Sequence, residues 1–428
     1  MLSLSSNCFL ISPSIRFLSL LIYNMAIGLL SFLMKAGSLF NPKAKAIIDG
    51  RKGWKKKLLE ITSEKKSWIW IHCASLGEFE QGRPVIESLK KTYPQHKVLL
   101  TFFSSSGYNV RKDYEHADAV MYMPADTRSN AEFFIKQLCP VLAVFVKYEF
   151  WYHHLDQLRR NNVKCILISA TFRKDQPFFK WYGEFFRKML RGFNAIFTQD
   201  QISVDLLKNI GVSENVFFAG DTRYDRVVEV LENKKEIPAV TEFLSGANLF
   251  IAGSTWEKDE QVLYRSMDII PNNWKIIIAP HEINEHRLDF IRRLFNNNIL
   301  FFSQIKNGET IDDKKILVID NIGMLSSLYS YGDVAYVGGG FQKGGIHNVL
   351  EPAVFGLPVI FGPHYKKFVE AVDLKEKRFA YLIEGADDLK EILPKLIKME
   401  KEPLQNYIKS KTGATDSIVH FIRQNGWL

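Results

Sequence analysis

Five glycines, a histidine, an asparagine and a glutamate fall between Gly338 and Glu351, in the run GGGFQKGGIHNVLE, and these groups at this spacing suit the holding of a nucleotide. Gly338, Gly339 and Gly340 follow an apolar strand, Asp333–Val337, and let the backbone approach a ligand closely. Gly344 and Gly345 renew that freedom before an expected helix start. Unpaired N–H groups at a helix start favour an anion. His347, Asn348 and Glu351 then fall within about one and a half turns, so a ring, an amide and a carboxylate reach ribose hydroxyls and phosphate together. The whole segment Ala335–Pro363 reads as a nucleotide-sugar cradle, although glycine turns also occur in α/β loops that hold no ligand.

Two carboxylates are candidates for acid–base work. Glu78 lies in SLGE, after the strand WIWIHCA and at the start of a helix that carries Arg83. Burial raises the pKa of such a group and a helix N-terminus lowers it, so an ionised Glu78 is placed to take a hydroxyl proton. It equally suits a first-turn glutamate that only complements the helix dipole. Glu149 lies in KYEFW after VLAVFV, where Lys147 or a flanking aromatic side chain offers it a structural partner. On the other half of the chain Gly253, Ser254 and Thr255 follow NLFIA and are expected to open the helix WEKDE. There, backbone N–H groups and two hydroxyls suit a phosphate or an ordinary helix cap. His281, after WKIIIAP, can reach the same phosphate or serve as a packed strand-end group. The Met and aromatic residues of Phe178–Phe193 are spaced for a helix and suit a core face as well as a lipid surface.

The elements that must carry these residues are short apolar runs between helix-length segments. The first series is Trp68–Ala74, Lys97–Phe103, Val141–Lys147, Val163–Ala170 and Asn194–Thr198. The second is Asn248–Gly253, Trp274–Pro280, Ile299–Ser303, Lys315–Asp320, Asp333–Val337, Pro358–Phe361 and Phe379–Ile383. Runs buried on both faces and spaced by helices specify parallel sheets wrapped by helices, hence two Rossmann-like, doubly wound domains. Their expected spans are 41–228 and 248–428, joined by a polar linker at 229–247 that holds Glu232, Lys234, Lys235 and Pro238. Ligands then bind outside the carboxyl ends of the strands, in a cleft that the two domains face.

The 428 residues are 46% hydrophobic and 24% charged, within the globular range and outside the disordered one. Much of the net charge of +9 is local: Lys43, Lys45, Arg51, Lys52, Lys55, Lys56 and Lys57 crowd one stretch. It follows an apolar segment, residues 1–40, whose window Phe17–Met34 has no charged side chain. That order suits a shallow membrane anchor beside an anionic lipid surface, with the domains on the cytoplasmic face. No motif for nucleic acid accompanies the basic run. A cleaved signal peptide puts its positive charges before the apolar stretch, the reverse of this order, and Met25 offers an alternative start. Cys8, Cys73, Cys139 and Cys165 are widely spaced and form neither a disulfide framework nor a metal-ligand pattern.

Taken in order, the loops resemble the 3-deoxy-D-manno-octulosonic acid (Kdo) transferases of lipid A assembly. The resemblance runs from about Leu21 to the C-terminus, through SLGE, YEFW, SAT, TQD, GDTRYD, GST and GGGFQKGGIHNVLEPAVFGLPVIFGPH. It implies the two-domain GT-B fold, CMP-Kdo as donor, a lipid A precursor as acceptor and the cell inner membrane as location, with no metal or other cofactor. It also implies that Glu78 is the catalytic base and that Asn348 and Glu351 bind donor. Where many members read Pro-Arg-His, this chain has Pro280-His281-Glu282, so an arginine expected near the donor phosphate is missing and His281, Arg287 and Lys343 are the candidates to replace it. Arg173, Arg223 or Lys343 is expected to hold the Kdo carboxylate. Two other readings remain: a GT-B transferase using a UDP-sugar and a lipid-linked acceptor, and a non-catalytic nucleotide-binding module on the membrane.

Overall fold

The computed structural model describes residues 13–64, 66–296, 298–306 and 314–428, so Cys8 and the first twelve residues of the expected anchor lie outside it. The chain divides into two compact units, Met1–Asp225 with Gly413–Leu428, and Arg226–Thr412.

The first unit is built on seven strands, β1 (Trp68–Cys73), β2 (Lys97–Phe102), β3 (Ala119–Tyr122), β4 (Pro140–Val146), β5 (Lys164–Ala170), β6 (Ala195–Thr198) and β7 (Val216–Phe218). They pair in parallel in the order β3-β2-β1-β4-β5-β6-β7. Every residue of β1 is buried, and the side-chain alternation of a strand divides them between two cores. Trp68 and Trp70 pack with Phe134, Phe145 and Leu167 on one face, and Ile69 and Ile71 with Phe79, Val85 and Val144 on the other. Each such side chain removed from water stabilises the fold by about 1.5–3 kcal/mol, before conformational entropy is charged against it. A helix at Pro13–Gly37 leads into the unit, with Phe17, Met25 and Phe32 exposed. Tyr23 and Asn24 tie it down, the first donating to Asp126 and the second bonded to His153 Nε2 at 2.7 Å.

The second unit holds β8 (Asn248–Thr255), β9 (Trp274–Pro280), β10 (Ile299–Phe301), β11 (Ile316–Val318), β12 (Val334–Val337), β13 (Val359–Phe361) and β14 (Ala380–Leu382). Their order is β10-β11-β9-β8-β12-β13-β14, again parallel throughout.

Three expectations are corrected. The C-terminal helix, Ala414–Gln424, belongs to the first unit, not the second. Its Ile418, Val419 and Ile422 enter the core on the Ile69 face, Phe421 packs on Phe197 and Phe217, and Asp225 accepts the N–H groups of Gly413 and Thr415 at 2.6 and 2.7 Å. The stretch 229–247 is not a free linker, since a helix runs through Thr222–Glu232 and a second, Pro238–Leu244, buries Val240, Phe243 and Leu244. The first sheet also has two strands beyond the expected five, β3 and β7, both at its edges.

Candidate active site

In each sheet the strand order reverses beside its first strand: β1 has β2 on one side and β4 on the other, and β8 has β9 and β12. The connections leave in opposite directions from such a point, opening a crevice outside the carboxyl ends of the two central strands. Glu78 follows β1 and Glu149 follows β4, so the first crevice carries both candidate carboxylates. Gly253, Ser254 and Thr255 end β8, and Gly338, Gly339 and Gly340 follow β12, so the second crevice carries the glycines.

The two carboxylates are held differently. Glu78 sits half-buried in the first turn of the helix Leu76–Thr92, where the N-cap Ser75 hydroxyl donates to its Oε2 while accepting from Gly77 N–H at 3.2 Å. This is a capping arrangement that leaves the carboxylate at the crevice edge. Glu149 is only 9% exposed, and its Oε2 accepts from Trp151 Nε1–H and from His72 Nε2–H at 3.0 Å. With that proton on Nε2, His72 Nδ1 accepts the Thr101 hydroxyl at 2.9 Å, and Thr101 accepts Trp70 Nε1–H at 2.8 Å. The chain Trp70–Thr101–His72–Glu149–Trp151 crosses β1, β2 and the loop after β4 and fixes Trp151 in a stack on Phe103. Lys147, expected as a partner of Glu149, takes no part in these bonds. Sequence reasoning missed His72 and Thr101; their signal was two polar residues inside otherwise apolar strands.

In the second unit, Gly253, Ser254 and Thr255 do not open a helix. They finish β8, Ser254 takes a left-handed φ of 54°, and the helix begins only at Glu257. Thr255 is buried and donates to Glu260 Oε1 at 2.8 Å, which also accepts from Arg287 at 2.7 Å. Arg287, a candidate for the donor phosphate, is thus buried against Glu260 and not presented. Asp259, which sequence reasoning passed over, organises the turn: it accepts from Tyr336 OH and from the N–H groups of Trp256 and Gly339, each of these two at 2.9 Å. Burial pushes its carboxyl above the usual carboxylate range against the pull of those bonds. Gly339 has a φ of 88°, and a Cβ at Gly340 would stand 2.5 Å from Gly362 N, so both glycines serve close chain-to-chain approach. Gly345 is similarly enclosed, whereas a Cβ at Gly344 would meet nothing within 4 Å; there the backbone is open to a ligand.

His347 and Asn348 precede the short helix Leu350–Val354 instead of lying on it, and only Glu351 is helical. Asn348 Nδ2–H donates to Glu351 Oε1 at 3.0 Å, joining the amide and the carboxylate in one exposed group. His347 stacks on His281 with centroids 4.1 Å apart and accepts Trp256 Nε1–H on Nε2 at 3.2 Å, which puts its proton on Nδ1. Burial, helped by His281, pushes the His347 pKa down to about 4, and burial also lowers that of His281, so the pair is neutral at pH 7. His281 therefore has the His347 ring as its stacking partner. Of the remaining basic candidates, Arg223 pairs with Asp221 at 2.7 Å, Arg173 lies over the Tyr148 ring, and Lys343 is exposed.

Two doubly wound units, with acidic groups at one switch point and a glycine turn at the other, make this a GT-B chain. Among solved structures it is similar in fold to a UDP-GlcNAc 2-epimerase of Methanocaldococcus jannaschii, at 16% identity and a TM-score of 0.53 over 84% of this chain and 99% of that one. MurG of Acinetobacter baumannii gives 12% identity and 0.51 over 84% and 99%. Residues 50–226 match the family model described as 3-deoxy-D-manno-octulosonic-acid transferase. A 3-deoxy-D-manno-octulosonic acid transferase of Aquifex aeolicus is 26% identical over 79% of this chain and 88% of its own length. One of Rickettsia felis is 26% identical over 80% and 74%. A bifunctional glycosyltransferase/methyltransferase of Fusobacterium nucleatum is also 26% identical over 78% of this chain, which spans about half of that relative's length. The chain is therefore similar to the Kdo transferases, over residues 50–226 to their family model and over about four-fifths of its length to curated members at 26% identity.

Proposed function

We propose that the protein transfers Kdo from CMP-Kdo to a lipid A precursor, with inversion, at the cytoplasmic face of the cell inner membrane. The observation that carries this reading is the division of groups between the two switch points: the carboxylates Glu78 and Glu149 at the first, and a glycine-rich turn with Asn348 and Glu351 at the second. In this scheme Glu78 takes the proton from a sugar hydroxyl as that oxygen bonds to the anomeric carbon of Kdo. The bond from that carbon to phosphate oxygen breaks, and CMP leaves with the electron pair. Asn348 and Glu351 hold the ribose, and the open backbone at Gly344 with Lys343 meets the phosphate. Glu149 acts through Trp151 as a positioning group. The scheme requires no metal, because the leaving group is a monophosphate that N–H donors and a lysine can stabilise.

The membrane location is supported by the helix Phe17–Gly37, which is long and apolar enough to cross a bilayer and has only 6% of that window buried. Its Tyr23 and Asn24 bonds favour a helix lying along the first unit at the lipid surface. Competition between CMP and UDP for the protein tests the donor. CMP is expected to displace a fluorescent cytidine nucleotide at a concentration at least about tenfold below that of UDP, a difference of roughly 1.4 kcal/mol. Preference for UDP would replace the reading by that of a UDP-sugar transferase.

A further inference from the structure

Arg51 ends the short helix Pro42–Gly50, which packs so closely on β3 that a Cβ at Gly50 would stand 2.1 Å from the Tyr122 ring. Arg51 lines a slot between the N-terminal helix, which contributes Ile27, Leu30 and Met34, and the loops after β2 and β4, which contribute Phe103 and Trp151. One face of the guanidinium lies 4.9 Å from the Phe103 ring centre. Its Nε and Nη2 are buried and have no hydrogen-bond partner among the described residues. Those two nitrogens form one edge of the fork, the edge that takes two oxygens of a phosphate or carboxylate side by side. Asp126 also lines the slot but is already engaged by Tyr23 OH, the backbone N–H groups of His153 and His154, and the His154 ring. Burial, only partly offset by the Tyr122 hydroxyl, pushes the Arg51 pKa down to about 10.

We propose that this slot is a phosphate site for a membrane lipid: two phosphate oxygens meet the Nε–Nη2 edge of Arg51, and the apolar side chains of the N-terminal helix flank the lipid's hydrocarbon. The lipid source is favoured over free phosphate because one wall of the slot is the helix whose outer face exposes Phe17, Met25 and Phe32. Trp151, the ring fixed by Glu149, is the other wall, so the bound phosphate lies beside the first switch point. The inference rests on the transferase reading in one respect, that the lipid is the acceptor itself.

The test uses the full chain in detergent micelles and measures binding of a tetraacylated, bisphosphorylated glucosamine disaccharide and of its dephosphorylated form. Wild-type protein is expected to prefer the phosphorylated lipid by about 10- to 100-fold, Arg51→Gln to lose that preference, and Arg51→Lys, which keeps charge without the edge, to retain part of it. Removing a buried, unpaired charge predicts a melting temperature in Arg51→Gln no lower than wild type. A preference kept in Arg51→Gln, or affinity lost equally for both lipids, would overturn the proposal. Displacement of the lipid by inorganic phosphate at equal concentration would overturn its lipid source. Turnover with CMP-Kdo, followed in parallel, separates the two readings. Phosphate-selective binding through Arg51 without turnover leaves the slot and removes the transfer reading; turnover without phosphate selectivity removes the slot alone.

Discussion

Glu78 and Glu149 stand at the ends of neighbouring strands, yet their surroundings differ, and the difference is what supports the separate roles proposed for them. Glu78 is half-buried with one hydroxyl donor, while Glu149 receives two N–H donors on the same oxygen at the end of a buried relay. A general base must give up its hydrogen-bond partners to a substrate proton, and a positioning carboxylate must not. The second unit repeats the contrast: Asp259 and Glu260 are buried to brace backbone and strand end, while Asn348 and Glu351 are presented. Position in the topology is therefore insufficient to name a catalytic group; the number and direction of its existing bonds decide.

The sharpest way to break the comparison is Glu78→Gln, which keeps size and loses basicity. Turnover is expected to fall by about 10²- to 10⁴-fold with CMP affinity unchanged, measured by steady-state rates and calorimetry. Near-normal turnover would move the base to Glu149. Glu149→Ala should act on the fold instead, because it leaves His72 and Trp151 N–H groups buried without an acceptor; a loss of about 1–3 kcal/mol by denaturant melting is expected. Glu149→Gln, which retains an acceptor oxygen, should melt closer to wild type. In the second unit Glu351→Ala should weaken CMP binding by about 1.5–3 kcal/mol, and an unchanged affinity in a folded variant would remove Glu351 from the nucleotide site.

The smallest effect expected is one of pH. The folded pKa of His347, about 4, lies below its unfolded value near 6.5, so the unfolded chain binds the extra proton between those limits. Stability from this group is complete above pH 6.5 and declines as pH falls toward 4. His347→Gln should flatten that part of the melting profile; an unaltered slope would place the titration elsewhere.

Much of the fold was legible because parallel strands buried on both faces read as continuous apolar runs, as in WIWIHC and KIIIAP. The two strands not anticipated, Ala119–Tyr122 and Val216–Phe218, are short edge strands, where fewer residues are buried and the apolar signal is correspondingly brief. The last helix was misassigned because its apolar face at Ile418 and Ile422 says that it packs, not on which unit. At the candidate site, the glycine turn was legible from residue types, whereas the Asn348–Glu351 bond and the position of His347 and Asn348 ahead of the helix were not. Nor were the bracing role of Asp259 and the His72–Glu149 bond, since they join residues 80 and 77 positions apart that only the strand order brings together.

The most direct measurement is the mass of a tetraacylated lipid A precursor after incubation with the full-length protein and CMP-Kdo. The account predicts a lipid heavier by one or more whole Kdo residues, released CMP in equal number, and an unmodified lipid when Glu78→Gln replaces the wild type. A lipid left unchanged by wild-type protein that binds CMP, or one modified only when a UDP-sugar is supplied, would contradict it.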